Sequence, residues 1–163
     1  MGLHLRYIKI GMVASIALFF TMVSFNNLTD PDSNLTYIMH TLNMDTTFQS
    51  SSVMWRAVTN PVIQKYVFYT VTAWEILTTI LCWIGSLTLL LKVKAKDIDF
   101  IKAKKMAYIG LFSGFSLYMI GFMIIAGEWF CMWQSKDWNT QLISGLFISL
   151  IMFVMIFLNT TDE

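Results

Sequence analysis

YVFYTVTAWEILTTILCWIGSLTLLL, residues 66–91, is the stretch that decides the fold. It is apolar almost throughout, with Glu75 as its one ionisable carboxylate. A helix needs about 20 mostly apolar residues to cross a hydrocarbon layer about 30 Å thick. This run exceeds that length. Upstream, Asn60-Pro61 puts a capping residue before a proline at the first helical position, where the missing N–H does no harm. A helix from there to Leu91 would be about 46 Å long at 1.5 Å per residue, long enough to tilt or to project beyond the membrane.

Three further segments have spanning length, residues 7–25, 106–130 and 141–158. The composition agrees with a chain solvated partly by lipid. The 163 residues are 56% hydrophobic and 13% charged, against about 25% charged in ordinary soluble domains. Mean hydropathy is +0.63. The expected fold is an all-α bundle of four transmembrane helices in a single membrane domain, with a short helical cap between spans one and two. The first run is too apolar and too long for a signal-peptide core, and no small-residue cleavage pattern follows it, so it reads as a retained anchor.

Basic residues orient such a bundle. Arg6 and Lys9 precede span one, and Lys92, Lys94, Lys96, Lys102, Lys104 and Lys105 fill the expected loop at residues 92–105. These make eight of the eleven Lys and Arg residues. The other flanks hold Arg56, Lys65 and Lys136, offset by Asp30, Asp32, Asp45 and Asp137. Both termini are therefore expected on the cytoplasmic side. A net charge of +1 gives no reason to expect nucleic acid.

Residues 26–65 form a connection long enough to carry its own structure. The run Asn26 to Asp32 is dense in turn-formers and reads as irregular. Beyond it Leu35, Ile38, Met39 and Leu42 share one helical face, and Asp32 or Ser33 can cap that helix. A second short helix is expected over residues 53–58, capped by the serines at 50–52. Trp129, Trp133 and Trp138 gather at the same end, as an interfacial aromatic belt or as the wall of a pocket.

Glu75 is the most informative polar residue. A carboxylate at that depth costs several kcal/mol unless it is paired, hydrated or protonated. Its candidate partners are Arg56 or His40 dipping in from the cap, or the hydroxyls of Thr72 and Thr78. Glu75, His40, Asp45, Arg56, Glu128 and Gln134 together make a candidate functional polar cluster at the cap end. Gly110, Gly114, Gly121 and Glu128 follow one another at four- and seven-residue steps, as if along one face, and Gly145 with Ser149 makes a similar small stripe in span four. Small residues so spaced let helices approach closely.

No cofactor is expected. The two histidines, His4 and His40, lie outside the spans, so a bundle haem lacks axial ligands. Cys82 and Cys131 fall at opposite membrane depths and provide neither a disulfide nor a zinc site. A metal site from His40 with Asp45, Glu128 or Cys131 has nothing to fix its geometry. No phosphate loop or catalytic constellation stands out.

Asn26-Asn27, Asp30, Asn34, His40, Met44-Asp45-Thr46, Trp55-Arg56-Ala57, Pro61 and Glu75 resemble a bacterial family of predicted small integral membrane proteins. So do Gly127-Glu128-Trp129-Phe130, Trp133-Gln134-Ser135, Trp138-Asn139 and Gln141. The resemblance implies a Gram-negative inner membrane and four spans, and brings no activity with it. The expected role is a non-enzymatic accessory or interaction subunit, whose partners are the bilayer and either another membrane protein or a second copy. The alternative is a small transporter, channel or solute-binding protein that uses Glu75 and an outward-facing polar pocket.

Overall fold

The computed structural model describes residues 2–49 and 52–161. Four helices are long and apolar enough to cross a membrane, and they form an all-α bundle. The first is α1, Gly2–Thr29, followed by the short α2, Pro31–Asn43. A 3-10 turn at Met54–Arg56 leads to α3, Pro61–Leu91. The third span is α4, Asp97–Ser116, which continues without a break as a π-helical segment, Leu117–Trp129. A second 3-10 turn, Met132–Gln134, leads to α5, Gln141–Asn159.

The inward faces of the spans recur at three- and four-residue steps. On α1 the inward series is Arg6, Ile10, Val13, Ala17, Phe20, Ser24 and Asn27. On α3 it includes Gln64, Phe68, Thr72, Glu75, Thr78, Cys82 and Gly85. Such stripes make nearly aligned helices with a left-handed twist. α3 is the centre of the bundle, packed on both α1 and α4. At the α3–α4 crossing the backbones themselves meet. A Cβ on Gly85 would lie 2.5 Å from the Cα of Ala107, and one on Gly110 would lie 2.7 Å from the backbone N of Cys82. Gly114 leaves room for the ring of Phe20 in the same way.

Several boundaries differ from those expected. Residues 26–29 are helical rather than irregular, because Asn27 turns inward and the Thr29 hydroxyl donates back to the Phe25 carbonyl at 2.8 Å. The break is confined to Asp30 (φ −134°, ψ 70°), the residue that Pro31 forbids from helical geometry. Asp30, not Asp32 or Ser33, therefore precedes α2. Its carboxylate accepts from Ser33 Oγ at 2.7 Å. The expected helix over 53–58 is a single 3-10 turn, and Ser50 and Ser51 lie outside the described residues. The Asn60 cap of α3 is present, its side chain accepting from Val62 N–H at 2.9 Å.

The basic end is more ordered than charge counting suggests. The expected loop at 92–105 is a short turn, and α4 starts at Asp97. Three of the eight basic residues there are buried, Arg6, Lys9 and Lys104. Arg6 donates to the carbonyls of Val93 (3.0 Å) and Ala95 (2.7 Å), pairs with Asp97, and lies over the Phe100 ring at 4.6 Å. Lys9 is 1% exposed and donates to the carbonyls of Thr160 (2.6 Å) and Thr161 (3.3 Å). Cations thus sit where α3 and α5 end in unpaired carbonyls and negative dipole.

Replacing Gly85 by alanine should destabilise the bundle by about 1–3 kcal/mol, because the nearest atoms are backbone and cannot swing aside. Thermal unfolding in detergent checks this as a lowered midpoint. Arg6→Met should cost a similar ~1–3 kcal/mol by stranding buried carbonyls, and adding salt should not mimic it.

Candidate functional site

Glu75 lies inside α3 and is 4% exposed. Its partner is neither Arg56 nor His40. Asn27, from the last turn of α1, donates Nδ2–H to Glu75 Oε2 at 2.5 Å. The Asn27 carbonyl oxygen accepts in turn from Asn34 Nδ2 of α2. One amide therefore joins three helices, and its chain of bonds runs from the buried carboxylate to an exposed residue of the cap. Thr72 and Thr78, the candidate hydroxyls, are used elsewhere. Thr72 donates to the Phe68 carbonyl at 3.0 Å, and Thr78 shares a 2.8 Å bond with Ser113, which also accepts from the Trp74 indole at 3.1 Å.

The other cap residues are tied into separate local contacts. His40 Nδ1 lies 2.8 Å from Asp45 Oδ2, and the imidazole stacks on Trp138 with centroids 4.6 Å apart. Arg56 donates to the Trp129 carbonyl at 3.2 Å and lies over the Trp129 ring at 4.5 Å. The neighbouring Trp55, 72% exposed, meets Trp129 edge-on. Gln134 Oε1 accepts from Phe48 N–H at 2.9 Å. Glu128 accepts from Gln141 Nε2 at 3.2 Å on the exposed side of the π segment. So the structure brings His40 to Asp45, and leaves Glu75, Arg56, Gln134 and Glu128 in four different settings.

The stripe Gly110–Gly114–Gly121–Glu128 does not stay on one face. The wider π turn, with i→i+5 bonds, shifts the phase after Leu117. Gly110 and Gly114 pack inward, Gly121 meets only Leu117 Cδ1 at 3.9 Å, and Gly145 has nothing within 4 Å. Sequence reading also passes over the groups that weld the cap to the bundle. Tyr37 shares a 2.7 Å bond with Thr140, and burial pushes its phenol above the ordinary value. Gln64, almost fully buried, donates to Asn43 Oδ1 (2.8 Å) and the Val58 carbonyl (2.7 Å). Their signal in the sequence is only a polar residue in an otherwise apolar helix turn.

The arrangement can hold a carboxylate in place deep in a bundle; it offers no ready metal cage. Among the described residues no group of three His, Cys, Asp or Glu side chains converges, and both cysteines are free and buried. A cavity of about 310 Å³ beside α2, α3 and the π segment is apolar, and Glu75 does not line it.

Removing the Asn27 amide should strand the buried carboxylate. Asn27→Leu is expected to lower stability by about 1–3 kcal/mol, and by much less when Glu75→Leu is already present. A double-mutant cycle of unfolding free energies in detergent measures the difference. Equal costs in the two backgrounds would show that the two side chains are not coupled.

Comparison with known proteins places these features. No curated protein and no solved structure matches the chain. Residues 5–161, nearly the whole length and including both the Glu75 chain and the cap, match the family described as "Predicted small integral membrane protein (DUF2165)", and the chain belongs to that family.

Proposed function

We propose that this protein is a non-enzymatic accessory or interaction subunit of a larger membrane complex. It sits in a bacterial inner membrane with both termini and the basic turn on the cytoplasmic side. The observation that carries the reading is the contrast between two sets of glycines. Gly85, Gly110 and Gly114 are spent on packing within the bundle, whereas Gly11 and Gly145 face outward with nothing within 4 Å of an added Cβ. Each outward glycine begins a small step along its helix. Ser15 and Ser149 donate back to the carbonyls of Gly11 and Gly145, both at 2.8 Å, so each stripe presents few protruding atoms. Only 22% of the α5 apolar stretch is buried, against 33% in each other span. In lipid, where helices associate through close packing rather than hydrophobic exclusion, smooth open stripes favour a further helix. The positive-inside rule supports the orientation, since the buried Arg6, Lys9 and Lys104 share one end with the exposed lysines.

A second reading, a proton or cation path through Glu75, draws on the Glu75–Asn27–Asn34 chain to the exposed cap. Toward the basic end Thr79 donates to the Glu75 backbone carbonyl at 2.9 Å and lies 3.4 Å from the Ser24 hydroxyl. Solute or proton flux in liposomes that is the same for wild type and Glu75→Gln would dispose of it.

Native extraction followed by mass analysis of the intact particle tests the leading reading. The wild type is expected in a larger assembly with another membrane protein. Gly145→Leu and Gly11→Leu should release it while leaving the unfolding midpoint unchanged. A bare monomer from gentle extraction would reject the accessory role, and a homo-oligomer that both variants dissolve would replace it by self-association.

A further inference from the structure

At the cap end, α2, α3 and the π segment enclose a half-open cavity of about 310 Å³. α2 contributes Ile38 and Leu42, α3 contributes Val67 and Val71, and the π segment contributes Gly121 and Ile125. The absence of a side chain at Gly121 leaves the floor open, and the π turn separates the residues on either side of it. This site is independent of the outward stripes on α1 and α5.

The walls offer almost nothing to a polar ligand. Thr70 donates to the Tyr66 carbonyl at 2.8 Å, Tyr37 is bonded to Thr140, and Thr41 turns toward the Met132 sulfur at 3.9 Å. The Trp74 indole is bonded to Ser113. What faces the cavity is methyl, methylene and ring. A buried water needs two to four polar partners, and apolar cavities of about 150 Å³ already stay dry and take up hydrocarbon. Along α3 the wall runs from Ile63 to Trp74, about 16 Å at 1.5 Å per residue. One leaflet of hydrocarbon is about 15 Å deep, half of a core of about 30 Å. Ile63, Tyr66 and Ile125, which line the cavity, are large apolar or aromatic residues left exposed on two candidate spans, the kind of surface that favours lipid over water.

We propose that this cavity binds one acyl chain of a phospholipid from the leaflet at the cap end, taken up sideways between α2 and the third span. The chain lies against α3 with its headgroup near Tyr66. The bound lipid thereby becomes part of the wedge that holds α2 on the bundle.

The test uses the full chain in liposomes that contain a phospholipid with a photoreactive diazirine in mid-chain. After illumination, adducts should concentrate on Val67, Val71 and Ile125 relative to Leu142, Leu146 and Leu150 of the open α5 face. Gly121→Leu, at a position where an added Cβ meets only Leu117 Cδ1 at 3.9 Å, should abolish the cavity adducts and leave those on α5 and the unfolding midpoint unchanged. Native mass spectrometry should find one phospholipid retained by the wild type and lost in Gly121→Leu. Equal labelling of cavity and α5 face, labelling that survives Gly121→Leu, or retention of an isoprenoid or of no lipid would each overturn the proposal.

Discussion

The bond from Asn27 to the Glu75 carboxylate is where the cap and the spans become one object. α1 would otherwise end in solvent-seeking residues, and α2 would be a short amphipathic helix with a modest apolar stripe. Because the Asn27 side chain has a donor and an acceptor, it can serve the buried carboxylate and Asn34 at once. Each of those contacts fixes an angle that the other needs. The position of α2 against α3 then follows, with Ile38 and Leu42 buried beside Phe68 and Phe130. A buried carboxylate with one amide neighbour is an expensive way to hold a helix in lipid. It differs from apolar packing in specificity, since one arrangement satisfies all three side chains and a slip of either helix satisfies none.

At the other end the same logic runs with the sign reversed. Just past the C-termini of α3 and α5 the chain presents carbonyls, at Val93 and Thr160 among others, and Arg6 and Lys9 from the start of α1 supply the donors. α1 is thus pinned by an amide at one end and by cations at the other. Between these ends its contacts are with apolar side chains and a few hydroxyls. The Trp83 indole donates to Thr21 at 3.0 Å, and Ser86 donates to the Ile10 carbonyl at 3.3 Å.

What the amino acids reveal unaided follows from how local each signal is. Four spans are legible because a run such as residues 141–158 has few environments that can solvate it. The Asn60-Pro61 start of α3 is legible because a cap is a matter of two residues. The Asn27–Glu75 bond is not, since the partners are 48 positions apart and nothing near either of them marks the other. The burial of Lys9 and Lys104 is hidden for the same reason, as a lysine count treats every ammonium as a solvated charge. The π segment escapes because its residues are apolar on all sides, so no periodicity records a change from one turn width to another. Once the turn widens, the stepwise extrapolation from Gly114 to Gly121 and Glu128 fails with it. Among the candidate polar residues, the sequence places them all at one end; only the fold decides that His40 meets Asp45 while Glu75 meets neither.

The π segment supplies one wall of the apolar cavity. A π-helix of 13 residues gives up the tight side-chain stacking of an α-helix, and such geometry usually persists only for a single turn. Here it is held at both ends. Tyr118 packs on Phe20 and Phe147 at its start, and Cys131, in a left-handed conformation (φ 54°), turns the chain sharply after its end. Between these anchors Gly121 lines the cavity, and a Cβ added there would meet only Leu117 Cδ1 at 3.9 Å. An α-helical continuation would turn each residue through about 100°, more than a π turn does, so Gly121 and Ile125 would meet α2 and α3 at a different angle. The same wider turn sets where Glu128 and Trp129 emerge at the cap, within reach of Gln141 and Arg56.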